Sequence, residues 1–340
     1  MKHCVMFDGW PHIVKAQQFS REWIEHVLFP LTDRMEKMLP VKSCSHLLDG
    51  KEMISLFTAE STRTRASEEI AMNKLGGKVI FSAPGAKFSS SIGKGESLED
   101  TLRALNECGM GADVLVVRND DPKQIPIARL RSFSGIPIIN AGDGAGKDKQ
   151  HPTQALLDIY TIYKYCGGID GISIAMIGDL KNGRTVRSLS YQLAKWRRPK
   201  IYLVSPPQLQ MGDDIKRYLA RHGVRFYECT DVRDVAAKVD VFYQTRTQTN
   251  LGSKSLDRSD EKTGFSIING KVMKMARKDA IVMHPMPIMD EIVRSEVDLD
   301  VRAVYREGRR GKPSQMRCGL LTRMAELLVV VSPEVAASLL

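Results

Sequence analysis

Ile172-Ser-Ile-Ala-Met-Ile177 runs directly into Gly178-Asp179-Leu180-Lys181-Asn182-Gly183-Arg184-Thr185. A short apolar run bounded by glycine reads as a buried strand, and the polar turn after it reads as the start of a helix. Reading outward, the same alternation recurs. Downstream come a helix from Thr185 to Trp196, a strand Lys200–Val204, a helix Asp213–His222, a strand Val224–Tyr227, and strands Asp240–Tyr243 and Ala280–Met283. Upstream lie a helix from about Arg21 to Leu39, strands Met53–Phe57, Lys78–Ser82, Asp113–Val117 and Ile136–Ile139, and helices Arg63–Leu75 and Ser97–Cys108. A helix opens at His151-Pro152 and stops before Gly167-Gly168, and a last helix covers Gln315–Val331. Strands alternating with helices imply parallel sheets flanked by helices. The class is therefore α/β, with two doubly wound domains hinged near Gly167-Gly168. The polar stretch from Thr247 to Gly270 reads as a long functional loop.

The 340 residues suit two domains at roughly 150 residues each. With 43% hydrophobic and 26% charged residues, the composition excludes disordered and low-complexity architectures. Lys and Arg number 50 against 40 Asp and Glu, a formal charge of +10 that favours anionic partners, and the basic stretches 195–200 and 302–317 hold much of it. Neither stretch has the aromatic interleaving of a nucleic-acid surface. The six cysteines form no C-x-x-C and read as reduced, mostly buried thiols. No apolar run reaches membrane-spanning length, and Met1–Trp10 does not resemble a signal peptide, so a cytoplasmic location is expected, without a membrane partner.

In doubly wound sheets, ligands bind where strands end and helices begin. Ser61-Thr62-Arg63-Thr64-Arg65 opens one helix with hydroxyls, guanidiniums and unpaired N–H groups, which suits phosphate. His151-Pro152-Thr153-Gln154 opens another and offers an imidazole and an amide to a carbonyl and an amide, although a histidine there, taken alone, reads more readily as a structural one. Arg184 and Thr185 stand at a third helix start, in a spacing that is not a dinucleotide fingerprint. Ser89-Ser90-Ser91-Ile92-Gly93-Lys94-Gly95 is a polar loop. Thr245-Arg246-Thr247-Gln248 and His284-Pro285-Met286-Pro287 follow two further strands.

In order and spacing these motifs resemble the aspartate/ornithine carbamoyltransferase family from about Phe19 to Val331. Its other matching features are K-G-E at Lys94–Glu96, Arg118 after a four-residue apolar run, N-A-G-x-G at Asn140–Gly144, and T-R-M-A at Thr322–Ala325. The resemblance implies a carbamoyl phosphate domain, 1–165 plus about 315–340 with the C-terminal helix returning to it, and an acceptor domain, 166–314. It implies that Ser61, Thr62, Arg63 and Thr64 hold the phosphate. Thr64, Arg118 and His151, with Arg63 adjoining, face the carbonyl oxygen in the transition state. Gln154 and the carbonyls of Pro285 and Met286 take the carbamoyl NH₂. Pro285 in H-P-M-P, where ornithine members carry Cys, implies aspartate as acceptor. Arg184, Thr185, Arg246 and Gln248 would bind it, since two guanidiniums suit a dicarboxylate. Ser90 and Lys94 would reach in from a neighbouring subunit of a homotrimer, to which the family can add a regulatory chain. The resemblance implies no cofactor and no metal.

Three usually charged family positions read Ala59, Leu251 and Ile288 here, with Glu60 one place beyond the usual glutamate. The resemblance implies that charged residues at such positions help clamp the closed domains; Glu60 is the expected substitute, and loss of aspartate saturation in Glu60→Ala is the test. These departures motivate a competing reading, a transcarbamylase for another acidic acceptor. A catalytically silent interaction partner is the reading from a different class; the intact Ser61–Arg65, Arg118, His151 and Gln154 set speaks against it.

Overall fold

The computed structural model describes residues 11–58, 61–85, 91–108, 111–120, 126–127, 135–144, 149–246 and 267–340. They form two compact units, Met1–Leu157 with Cys318–Leu340, and Asp158–Arg317. The chain passes between the units inside two helices, between Leu157 and Asp158 and between Arg317 and Cys318. Gly167 instead ends a helix as its left-handed cap (φ +75°), its N–H bonded to the Tyr163 carbonyl.

Unit 1 holds a four-stranded parallel sheet, β1 (Glu52–Phe57), β2 (Lys78–Ala83), β3 (Val114–Arg118) and β4 (Ile138–Asn140), in the order β2-β1-β3-β4. The continuous apolar runs of β1 and β3 are buried on both faces, as central parallel strands require. Leu56, Leu98, Leu102, Leu115, Val117, Ile127 and Ile138 belong to one of its core clusters. Unit 2 holds five parallel strands, β5 (Ser173–Ile177), β6 (Lys200–Val204), β7 (Arg225–Cys229), β8 (Val241–Gln244) and β9 (Ile281–Met283), in the order β7-β6-β5-β8-β9. Each sheet reverses its winding once, between β1 and β3 and between β5 and β8. These reversals are where binding crevices form.

The helices before β1 are α1 (Arg21–Trp23) and α2 (Phe29–Met38), joined by a π-helical turn over Ile24–Leu28. Pro30 accounts for the turn. It has no N–H and its ring crowds the carbonyl of residue 26, so the wider turn just before it relieves the clash. Then come α3 (Thr62–Lys74), α4 (Leu98–Cys108), α5 (Pro152–Cys166), α6 (Arg184–Leu193), α7 (Asp213–Arg221), α8 (Gly270–Met275), α9 (Arg294–Val297), α10 (Gln315–Val331) and α11 (Pro333–Ser338).

Several sequence expectations need correction. The helix expected to reach Trp196 ends at Leu193, and the strand expected at 136–139 is Ile138–Asn140. Part of the loop expected over 247–270 is ordered structure: Ile268 is fully buried and bridged to Ile292, and Gly270 begins α8. Residues 247–266 lie outside the described residues, as do Cys4, Ala59, Glu60, Ser89, Ser90, Gln248 and Leu251. Of the described cysteines only Cys44 and Cys318 are buried; Cys108 is exposed, and all are free thiols. Among the described residues no helix is long and apolar enough to cross a membrane.

The basic stretch 302–317 is not a free cationic face. Arg302 pairs with Asp300 and donates to the Ala276 and Arg277 carbonyls. Arg306 pairs with Asp298, Arg309 pairs with Glu307 and donates to the Asp298 carbonyl, and Arg310 donates to the carbonyls of Lys278, Asp279 and Ala280. These guanidiniums finish turns whose backbone acceptors have no ladder partner.

Unit 1 also buries three ionisable side chains together. Arg323 Nε donates to Glu68 Oε1 at 2.8 Å, while Glu68 Oε2 and both carboxyl oxygens of Glu326 have no hydrogen-bond partner. Burial, and then the neighbouring Glu68 carboxylate, push the Glu326 carboxyl well above its usual range, against the opposing pull of Arg323. Burial also raises Glu68, opposed by Arg323. Of the two, Glu326 is pushed up the more strongly, since Arg323 bonds Glu68 and not Glu326. A group whose folded pKa lies above its unfolded one favours folding at low pH, and the chain loses that contribution as pH rises from the ordinary carboxylate range toward the raised value. Glu326→Leu is expected to stabilise unit 1 by about 1–4 kcal/mol at pH 8 and to flatten that alkaline decline. Thermal unfolding of both proteins across pH 5–9, taken as roughly the accessible range, is the check; an unchanged midpoint at pH 8 would rule this out.

Candidate active site

In unit 1, β1 leads through Thr58 toward Ser61 and α3. Ser61 is the N-cap in an extended conformation (φ −151°), and its hydroxyl caps no backbone N–H. The first-turn donors of α3, on Thr62, Arg63 and Thr64, are thus not occupied by the N-cap side chain, as an anion site needs. Thr62 and Arg63 are exposed, and Ser61 and Thr64 half-buried. Arg65 turns elsewhere: its Nη1 lies 3.5 Å from Ser82 Oγ, which donates to Glu69.

Arg118 ends β3, in register with Phe57, and its carbonyl accepts the Thr58 N–H. The reversal in the sheet therefore puts Arg118 beside the strand that delivers Ser61–Thr64. Its Nε and Nη2 both bond Asp120 Oδ2, at 3.2 and 3.1 Å, and the Asp120 N–H is held by Thr58 Oγ1. This fixes the guanidinium plane. After β4, Gly142 adopts φ +123°, with its N–H on Asn140 Oδ1 and its carbonyl accepting the Asn119 N–H. A Cβ on Gly142 would sit 3.2 Å from Arg118 Nη1, 3.2 Å from His151 Cδ2 and 3.3 Å from His151 Nε2. Arg118 and His151 therefore converge over a residue that has no side chain.

His151 is buried and precedes α5. Its Nδ1 faces the Gln154 N–H at 3.4 Å and the Thr153 hydroxyl at 3.3 Å. A backbone N–H can only donate, so Nδ1 is the acceptor and a neutral ring carries its proton on Nε2. The atom nearest Gly142 and Arg118 is thus a donor. Gly142 is a candidate positioning residue that sequence reasoning missed; glycine where the backbone passes close to two candidate site side chains is the signal. Gly142→Ala is expected to lower kcat about 100-fold by displacing both donors, while binding of inorganic phosphate stays near that of the parent. Unaltered turnover would show that the close approach does not matter.

In unit 2, Gly178 closes β5 with φ +112°. A Cβ there would lie 2.5 Å from the Thr245 carbonyl oxygen and 2.8 Å from its hydroxyl. Thr245 N–H and Oγ1 both donate to the Ile177 carbonyl, and Ser205 Oγ donates to that of Gly178. Buried Asp179 accepts from the Asn182 N–H and side-chain amide, and Gly183 packs on the Asp179 carbonyl. This turn delivers Arg184 and Thr185, half-buried, as the first residues of α6. Arg187, one turn on, is buried and paired with Asp214. Arg246 is exposed just beyond β8, which pairs directly with β5. Two guanidiniums therefore stand at the carboxyl ends of the two strands where this sheet reverses.

Beyond β9, His284 is buried; its Nδ1 accepts the Met286 N–H and its Nε2 faces Glu291 Oε1, each at 2.8 Å. Burial opposes ionisation of Glu291, but the His284 bond and its own backbone bonds outweigh that and hold its carboxyl below the usual range. Pro285 and Met286 are half-buried, and Met286 has φ +63°, which is costly for a non-glycine residue. Ile288 is buried in the unit 2 core. Lys94 is exposed at the end of a short 3₁₀ turn, Ser91–Lys94. Among the described residues no cluster of three or more His, Cys, Asp and Glu could hold a metal ion.

Comparison with known proteins gives these two half-sites their family. Residues 11–164 match the aspartate/ornithine carbamoyltransferase carbamoyl-P binding domain, and residues 170–329 match the Asp/Orn binding domain of the same family. The chain is 44% identical over 319 residues to chloroplastic aspartate carbamoyltransferase 1 of Pisum sativum, covering 94% of this chain and 78% of that protein. Two solved structures of aspartate transcarbamoylase from Trypanosoma cruzi share its fold. One is in complex with carbamoyl phosphate and aspartate (TM-score 0.79, 38% identity, 94% and 96% of the two chains). The other is in complex with N-(phosphonacetyl)-L-aspartic acid (TM-score 0.83, 39% identity, 94% and 96%). The chain belongs to the aspartate/ornithine carbamoyltransferase family.

Proposed function

We propose that this chain transfers the carbamoyl group of carbamoyl phosphate to the α-amine of L-aspartate, giving N-carbamoyl-L-aspartate and phosphate, the carbamoyl-transfer step of pyrimidine synthesis. The observation that carries this reading is the convergence of Arg118 Nη1 and His151 Nε2 over Gly142, two donors aimed at one place in unit 1. Carbamoyl phosphate is already activated, so neither a metal nor a covalent nucleophile is needed. The deprotonated amine attacks the carbamoyl carbon, the new C–N bond forms, and the C–O bond to phosphate breaks. The departing phosphate accepts the amine proton. Arg118, His151 and Thr64 stabilise the charge that develops on the carbonyl oxygen, an oxyanion site whose donors are fixed beforehand. Ser61, Thr62, Arg63 and Thr64 hold the phosphate, and Gln154 with the Pro285 and Met286 carbonyls takes the NH₂ group.

Unit 2 supplies the acceptor site: Arg184, Thr185, Arg246 and Gln248 bind the two carboxylates of aspartate. Paired guanidiniums favour a dicarboxylate over a cationic acceptor. The enzyme acts as a cytoplasmic homotrimer, with Ser90 and Lys94 serving a neighbouring subunit's site. Supporting the assembly, Ile70, Ile80 and Phe81 expose apolar side chains on and beside the edge strand β2, as a surface awaiting a partner does. Supporting the location, the described cysteines form no disulfide; the pea relative is named as chloroplastic.

The test is an acceptor panel. Purified protein with carbamoyl phosphate is offered L-aspartate, L-ornithine and other acidic amines. Carbamoyl-aspartate and equimolar phosphate are expected from aspartate alone. No carbamoyl-aspartate at saturating substrates would overturn the proposal, and turnover of a different acid would favour the competing acceptor.

A further inference from the structure

A buried polar chain in unit 2 has no place in the chemistry above. Tyr243 Oη donates to Asp158 Oδ2 at 2.6 Å, and Gln315 Nε2 donates to Asp158 Oδ1 at 2.8 Å. Gln315 Oε1 accepts the His284 N–H at 2.8 Å, and His284 Nδ1 accepts the Met286 N–H at 2.8 Å. Asp158 and Tyr243 are fully buried, and Gln315 and His284 are each 2% exposed. From this chain we infer that Gln315 is a positioning residue for the carbamoyl group, acting through His284 on the Pro285–Met286 backbone.

Three observations carry the inference. First, the orientation of the Gln315 amide is determined. The His284 backbone N–H can only donate, so the amide oxygen must face it and the NH₂ is left to face Asp158. Second, Gln315 is itself anchored. Its N–H donates to the Val304 carbonyl, and Ser314 Oγ caps the Arg317 N–H as α10 begins. Third, the segment it serves needs holding. Met286 is kept at φ +63° with its N–H on the His284 ring, and the other face of that ring is tied to Glu291. Without the Gln315 oxygen, the buried His284 N–H loses this acceptor and the segment has one fewer restraint on a costly backbone conformation. Tyr243 holds Asp158, and Asp158 orients the Gln315 amide.

The inference rests on the assignment of the Pro285 and Met286 carbonyls to the carbamoyl NH₂, and the experiment separates the two. Calorimetry measures binding of inorganic phosphate and of carbamoyl phosphate to the full chain. Phosphate lacks the carbamoyl end, so the ratio of the two affinities reports on that end alone. For the parent, carbamoyl phosphate should bind the tighter of the two; an equal affinity would refute the functional assignment itself, whatever Gln315 does. For Gln315→Met, which keeps the shape and removes both bonds, the ratio is expected to fall at least about tenfold. Phosphate affinity is expected to stay within about twofold of the parent, a pattern that general loosening does not produce. Tyr243→Phe, a one-atom deletion that keeps Gln315, should shift the ratio in the same direction by less, and it provides the reading if Gln315→Met does not fold. A folded Gln315→Met with the parental ratio would overturn the inference. So would a Tyr243→Phe with the parental ratio where Gln315→Met does not fold.

Discussion

Replacing Arg118 by alanine is expected to lower kcat for carbamoyl-aspartate formation by about 100- to 1,000-fold, the usual cost of losing one oxyanion donor. The prediction rests on placement. Arg118 is half of a pair with His151, its plane is fixed by two bonds to Asp120, and its Nη1 points over Gly142. The loss should appear in turnover rather than in stability. The partner left behind, Asp120, is partly exposed and can be hydrated. Arg118→Lys should fare little better, because a single ammonium can hold Asp120 or reach the carbonyl but does not present a fork that does both. Steady-state kinetics with both substrates saturating, alongside a thermal melt, is the measurement. A variant within tenfold of parental kcat, taken as a limit well under the range above, would remove Arg118 from the oxyanion site and leave that role to His151 and Thr64.

The second large effect belongs to Gly178→Ala. The added carbon would lie 2.5 Å from a carbonyl oxygen that has little freedom to move, since Thr245 is pinned to Ile177 through both its N–H and its hydroxyl. The backbone there is also at φ +112°, a region L side chains avoid. Overpacking and backbone strain together imply a loss of about 2–6 kcal/mol from unit 2, with failure to saturate with aspartate even where the protein still folds. Gly171→Ala is the control: its φ is also positive, at +74°, but no atom lies within 4 Å of the added carbon, so only the strain remains. Limited proteolysis and thermal unfolding of the two variants should separate clearly. If the two melt together, the contact at Thr245 is not what makes glycine necessary.

Much of this was legible from residue order alone, and for a physical reason. Strands buried on both faces, such as Val114–Val117 and Ser173–Ile177, leave long apolar runs, and the polar residues that end them stand where a parallel sheet places its ligands. The two reversals in strand order put Arg118 beside the Ser61 segment and Arg246 beside the Arg184 segment, and only the pairing reveals that. Relations across long separations were not legible. Asp158 and Gln315 are 157 positions apart, and each alone looks like an ordinary polar residue on a helix. A lone carboxylate in the apolar Ala-Leu-Leu-Asp-Ile-Tyr run of α5 was the one available hint. His284 illustrates the converse. Its motif singled out the segment, while the histidine itself is buried and tied down on both ring nitrogens. The engagement of the basic stretch 302–317 was not legible either, because charge counts do not register that a guanidinium can be occupied by backbone carbonyls.

That last feature bears on how this chain tolerates change. A library that swapped every arginine between 302 and 310 for lysine would keep the isoelectric point almost unchanged and pass any filter based on charge. It would also remove the planar forks through which Arg302 spans the Ala276 and Arg277 carbonyls and Arg310 spans those of Lys278, Asp279 and Ala280. At this corner of unit 2, arginine and lysine are separate letters of the alphabet, and a substitution matrix that scores them as near synonyms will misjudge which variants survive.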